Sequence, residues 1–145
     1  MKKVILLLAL VISSLCVQSN FMFSENNFVT KVIDGDTIDL SNRERVRFIG
    51  IDAPDKGERC YYEATEKLKE LILNQEVNLE SDVGNKDTYG RSLRYIYLGN
   101  SFINLEMIKD GYAYARTVKP NVLHSLEFAD AEESARKNDV GCLWE

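Results

Sequence analysis

Residues 28–51 set β-forming side chains against polar ones in three short runs, broken at Asp34-Gly35 and again at Ser41-Asn42, a period that a helix does not accommodate. Asp34-Gly35 is a hairpin signal between Val32-Ile33 and Ile38-Leu40, and 44–51 (ERVRFIGI) reads as a third strand. Asp52-Ala53-Pro54-Asp55 stops the run, because proline cannot donate to a ladder. Three short strands in meander order suggest a small barrel. Beyond them the period changes. Ala64, Leu68, Leu71 and Ile72 recur at helical spacing within 61–73, with charged residues between them. Strands are expected near 77–80 and 92–98, joined by the polar loop SDVGNKDTYG. Asn104 is expected to cap a short helix that Gly111 ends; 112–118 is extended, Lys119-Pro120-Asn121 turns, and 124–137 is a last helix. No internal repeat or linker interrupts this order. The expected class is α+β, a five-stranded OB-fold β-barrel with about three helices, a scaffold that binds oligonucleotides or oligosaccharides.

The first nineteen residues stand apart. Lys2 and Lys3, an apolar run from Val4 to Leu15 and the small residues Val17 and Ser19 have the layout of a signal peptide cleaved after Ser19. The apolar run is short for a bilayer span. Cys16 leaves open a lipoprotein, and an uncleaved anchor is the other alternative; membrane attachment is expected only in those two cases. The expected domains are thus 1–19 as signal peptide and 20–145 as one domain. Losing the two lysines takes the net charge from −5 to −7, so a phosphate-binding surface must be a local positive patch in an acidic chain. The mature chain keeps Cys60 and Cys142, which in an oxidising compartment form a disulfide and otherwise are two buried thiols. With His124 as its sole histidine it holds no structural zinc site of the usual kind.

The chemistry starts with VIDGDT. Asp36 beside the hairpin turn and Asp52 at the end of the third strand place two hard oxygen donors on neighbouring strands, suited to a calcium ion; the bland alternative is a solvated Asp36 beside an ordinary turn. Arg47, on the strand that ends at Asp52, and Arg91, after Tyr89-Gly90, offer two guanidinium forks matched to a phosphoryl group. Asp55, past the rigid proline, is the candidate to hold or deprotonate an attacking water, since one histidine cannot supply a two-histidine mechanism. Tyr89 is either a turn residue with its ring on the barrel or, if exposed beside Arg91, a ring suited to stacking on a base. Arg43, Arg45 and Arg47 alternate on one strand face, where charges are usually solvated; Arg94 has the same reading. His124 and Trp144 are read as packing residues.

Taken together, VIDGDT, VRFIGIDAPD, DTYGRSLRYIYL, GYA, VKPN and the terminal LWE resemble the staphylococcal nuclease (thermonuclease) family over essentially all of 28–144. The resemblance implies an OB-fold, calcium dependence, and hydrolysis of phosphodiester bonds in DNA and RNA to 3′-phosphate ends. It places calcium on Asp36 and Asp52 and on the backbone carbonyl of Ala53, with Asp34 as an acid behind the ligands. Arg47 and Arg91 fall on the catalytic arginines, Asp55 on the general base and Tyr89 beside the nucleotide. The departures are an aspartate, one methylene shorter, where the family has a glutamate base, and Arg116 and Val118 where its best-known member carries aromatic rings. Reduced rate and poorer base stacking are the expected consequences.

The sequence is therefore read as a secreted, calcium-dependent nuclease. DNA and RNA are its partners, no stable protein partner is implied and a monomer is expected. The alternative is an OB-fold module that binds nucleic acid without cutting it. Such modules lack carboxylates or arginines that this chain keeps at Asp36, Arg47, Asp52 and Arg91. An oligosaccharide-binding OB domain, which requires neither calcium nor paired arginines, is the third reading.

Overall fold

The computed structural model describes residues 27–145. The cleavage site after Ser19 and Cys16 lie outside them. The fold is α+β, with eight strands and three helices among the described residues. Strands β1 (Val29–Asp34), β2 (Thr37–Leu40) and β3 (Arg45–Phe48) follow one another, with β4 (Ile51–Asp52) after a break. Helix α1 (Tyr61–Ile72) leads to β5 (Asn78–Glu80), β6 (Ser92–Leu98) and β7 (Ser101–Phe102). The chain closes with α2 (Ile103–Lys109), β8 (Tyr114–Ala115) and α3 (Ser125–Lys137).

Six strands form one sheet in the order β1-β2-β3-β6-β5, with β7 paired to β6; β4 and β8 form a separate antiparallel pair. The expected single strand over 44–51 is thus two: the chain turns at Gly50, whose φ is 78°, and leaves the main sheet. The expected meander also ends at β3, which pairs in parallel with β6, Val46 opposite Ser92 and Arg47 opposite Leu93. Among the described residues no ladder joins β1 to β5 and a single bridge, Phe28 to Glu76, spans that gap, so the sheet is open and has six strands rather than five.

Inward positions of the strands, among them Ile38, Leu40, Val46, Phe48 and Ile96, bury against Ala64, Leu68 and Ile72 of α1, Met107 and Ile108 of α2, and Phe128 and Ala131 of α3. Asn104 is inside α2 rather than its cap. Fully buried, it accepts from the Ile96 N–H at 2.9 Å and donates to the Ile49 carbonyl at 2.8 Å, satisfying two buried backbone groups at the sheet break. His124 precedes α3 and packs edge-on against Tyr95 and Phe102 at centroid distances of 4.6 and 4.8 Å. Trp144 meets Tyr114 edge-on.

Cys60, just before α1, and Cys142, after α3, are joined as a disulfide 82 residues apart, with Cα atoms 5.8 Å from each other. Arg59 adds to this seam by donating to the carbonyls of Cys142 and Glu145. Breaking the bond with a Cys60→Ser, Cys142→Ser pair is expected to lower stability by about 4 kcal/mol or somewhat less, through the entropy returned to the unfolded chain. Urea unfolding of parent and variant measures that loss. An unchanged midpoint would show that the link does not constrain the unfolded chain.

Candidate active site

The DGDT hairpin is built around close packing. Asp34 pairs with Thr37 across Gly35 and Asp36, and a Cβ on Gly35 would stand 2.6 Å from the Ala53 Cβ and 2.9 Å from the Ala64 Cβ. Only glycine lets α1 and the 53 segment press onto the turn. That pressure buries Asp36, which is 5% exposed. Its Oδ1 accepts from the Thr37 hydroxyl at 3.0 Å and its Oδ2 from the Ala53 N–H at 2.8 Å, while its own N–H donates to Asp34 Oδ1. Burial pushes the Asp36 carboxyl up to about 7; the Arg47 guanidinium opposes this and Asp34 adds to it. The solvated-aspartate alternative is therefore wrong for this residue.

Arg47 links the two carboxylates. Its Nη1 lies 2.8 Å from Asp36 Oδ2 as an ion pair, with its hydrogen bonds going to the Phe48 and Ile51 carbonyls, and its Nη2 donates to Asp52 Oδ1 at 2.8 Å. The second Asp52 oxygen accepts from Arg116 Nη1 at 2.6 Å. Arg116 comes within reach because it follows β8, whose Tyr114 pairs with Asp52 itself. Nothing in the sequence announces that pairing. Its spacing is long-range, and the position reads there only as a missing aromatic ring.

Arg91 is held by a residue the sequence reading passed over. Asp87 Oδ1 accepts the N–H groups of Tyr89 and Arg91, and Oδ2 accepts Arg91 Nε at 2.6 Å. Partial burial raises the Asp87 carboxyl, yet hydrogen bonds from the Arg91 side chain and backbone outweigh it and hold the group below the usual carboxylate range. An aspartate opening a turn that ends in glycine, DTYG, is the signal that could have found it. Tyr89 is 84% exposed, with the Arg91 guanidinium carbon 5.5 Å from its ring centroid.

Parallel pairing explains why the two arginines converge. Arg47 sits opposite Leu93, and Arg91, two residues earlier, extends along the same face. Both line a cleft of about 520 Å³ together with Leu93, Arg116, Tyr89 and Lys119. The Lys119-Pro120 peptide at its edge is cis. Asp55 does not line this cleft. It stands exposed on the turn after Pro54, its N–H donating to Glu58 Oε2 at 2.7 Å.

The donors at the carboxylate end are Asp36 and Asp52, with the Ala53 backbone next in sequence; among the described residues no group of three or more His, Cys, Asp or Glu gathers. The set is all oxygen, which suits a hard cation and not a thiolate- or imidazole-seeking metal. Burial pushes the Asp36 carboxyl toward its protonated form, and a cation beside its oxygens would favour the ionised form instead, so the all-oxygen set fits such an ion.

Carboxylates bridged by one guanidinium, and a cleft in which three guanidinium groups face a single space, define a phosphodiesterase domain of the nuclease kind. The profile of the family described as staphylococcal nuclease homologue matches residues 45–145. The chain is 36% identical over 130 aligned residues to a thermonuclease of Staphylococcus intermedius, covering 83% of this chain and 77% of that one. It is 36% identical over 118 residues to a thermonuclease of Staphylococcus hyicus, covering 75% and 70%, and 36% identical over 131 residues to a micrococcal nuclease of Shigella flexneri, covering 80% and 71%. The chain belongs to the staphylococcal nuclease homologue family.

Proposed function

We propose that the protein is a secreted, calcium-dependent nuclease that hydrolyses phosphodiester bonds of DNA and RNA and leaves 3′-phosphate ends. The observation that carries this reading is Arg47, held between Asp36 and Asp52 at 2.8 Å from each, on the wall of the cleft that also receives Arg91. One buried and one half-exposed carboxylate, with two fixed guanidinium forks, are what phosphoryl transfer asks of a protein: charge neutralisation and positioning rather than covalent chemistry.

Asp36 and Asp52, with the Ala53 carbonyl, would hold calcium, and Asp34 would steady Asp36 through its N–H. Calcium bound there would polarise the scissile phosphate as a Lewis acid. Arg47 and Arg91 would grip the equatorial oxygens as charge builds on them, with Arg91 kept in place by Asp87. Asp55 would orient or deprotonate the attacking water from the turn that Glu58 ties down. Tyr89 would lie beside the base. The single bridge between Phe28 and Glu76 supports reading the open sheet as an OB-type barrel. We assign residues 1–19 to a cleaved signal peptide and 20–145 to the one monomeric nuclease domain. Among the described residues no helix is long and apolar enough to cross a membrane.

Single-stranded DNA and RNA incubated with the protein in calcium are expected to be cut, with phosphatase-sensitive 3′ ends, and cutting is expected to stop on chelation. Cleavage that survives the chelator would reject the metal role. Binding without cleavage in calcium would establish the non-catalytic module instead.

A further inference from the structure

A second groove, of about 680 Å³, adjoins the cleft and shares Tyr89 and Arg91 with it. Its other lining side chains include Arg43, Arg45 and Asp39, so three guanidinium groups face one carboxylate in a chain whose net charge is −5. Two of the three are already engaged. Arg91 is bonded to Asp87, and Arg45, directly across from Asp39 in the β2–β3 ladder, donates to both Asp39 oxygens at 2.7 and 2.8 Å. Arg43 has no hydrogen bond or ion pair from its side chain among the described residues, and its exposed position is fixed by the tight β2–β3 turn, where its N–H donates to the Leu40 carbonyl.

Spacing connects the groove to the cleft. Arg45 and Arg47 are two residues apart on β3 and share its outer face, with buried Val46 between them pointing the other way. That interval, about 7 Å along a strand, is comparable to the step between successive phosphates of an extended nucleic-acid strand. Arg43, in the β2–β3 turn, lines the same groove as Arg45. A strand with one phosphate between Arg47 and Arg91 can thus pass over Tyr89 into the second groove. Positive grooves that track the backbone, flanked by an exposed ring, are the usual means of holding single strands.

We propose that this groove is a subsite for a phosphodiester of an extended single strand, one or more nucleotides away from the bond at the cleft, with Arg43 as the phosphate-binding group and Asp39 limiting the contribution of Arg45. The ligand class rests on the nuclease reading above. The groove's own role is separately testable.

Binding of a fluorescent twenty-nucleotide oligothymidylate, measured by anisotropy in chelator so that nothing is cut, is the experiment. An unlabelled thymidine dinucleotide serves as the short competitor. Arg43→Asn removes the charge while keeping a residue that tolerates the φ of 69° found there. It is expected to weaken binding of the long strand about three- to tenfold and to reduce the salt slope by about one, leaving the dinucleotide unchanged. Arg43→Lys should restore most of the loss, and Asp39→Asn, which frees Arg45, should tighten the long strand. Equal weakening of both ligands would place the effect of Arg43 at the cleft, and long-strand binding like the parent's would remove the subsite; either result overturns the proposal. A parent that binds with the predicted length dependence but never cuts in calcium would sink the nuclease reading and leave the subsite standing.

Discussion

Arg91→Ala is expected to slow cleavage of single-stranded DNA about 10³-fold or more, the range seen when one guanidinium is withdrawn from a phosphoryl transition state. Its fold should survive, because Arg91 and Asp87 are partly exposed, with side-chain exposures of 28% and 18%. Arg91→Lys should recover little of the rate, since an ammonium keeps the charge and loses the fork. Arg47→Ala is a different case. It should match or exceed the loss in rate, but it also removes the guanidinium that offsets the burial of ionised Asp36, a loss of up to about 3 kcal/mol that should be largest above pH 7. Single-turnover rates and thermal unfolding of the two variants separate these effects. An Arg91→Ala protein that cuts at the parental rate would remove Arg91 from the chemistry.

Asp36→Asn is expected to abolish calcium-dependent cleavage, by a factor of at least about 10², and to make the metal-free protein more stable at neutral pH. The sign follows from burial. The Asp36 carboxyl is raised from 3.8 to about 7, so the folded state holds this proton more tightly than the unfolded chain does. Stability from the neutral form is full below pH 4 and is lost as pH rises through 7. Asparagine keeps a neutral acceptor for the Ala53 N–H and has no proton to lose. The gain should be on the order of a few kcal/mol above pH 7 and small at pH 4. Urea midpoints of parent and variant in chelator, at pH 4.5 and pH 8, test it; a gain that does not grow with pH would show that Asp36 is not the group responsible.

The sequence makes the local parts of this molecule readable. Alternation in 28–40 and the helical period in 61–73 mark elements that form where expected, because both are set by neighbours a few residues apart. What fails is everything decided at long range. The parallel β3–β6 pairing has forty-odd residues between its partners and no turn chemistry to announce it, and two-residue strands such as β4, β7 and β8 are too short to show a period. Asn104 illustrates the same limit: a short polar residue ahead of an apolar run reads as a cap, and only the packed core shows that its amide serves Ile49 and Ile96 instead. At the site, the positions of Asp36, Arg47, Asp52 and Arg91 in the motif blocks were legible. Their wiring was not. Asp87 and Arg116 enter through contacts that no motif spells out.

The bond between Cys60 and Cys142 has a topological result. It closes 83 residues of backbone, counting both ends, into a covalent ring that contains Tyr89, Arg91 and Arg116, while Asp36, Arg47, Asp52 and Asp55 stay on the tail outside it. A protease that nicks the exposed loop ahead of Arg91 opens the ring without freeing a fragment. The cut ends remain one molecule, and both halves of the phosphate grip stay tethered within reach of each other.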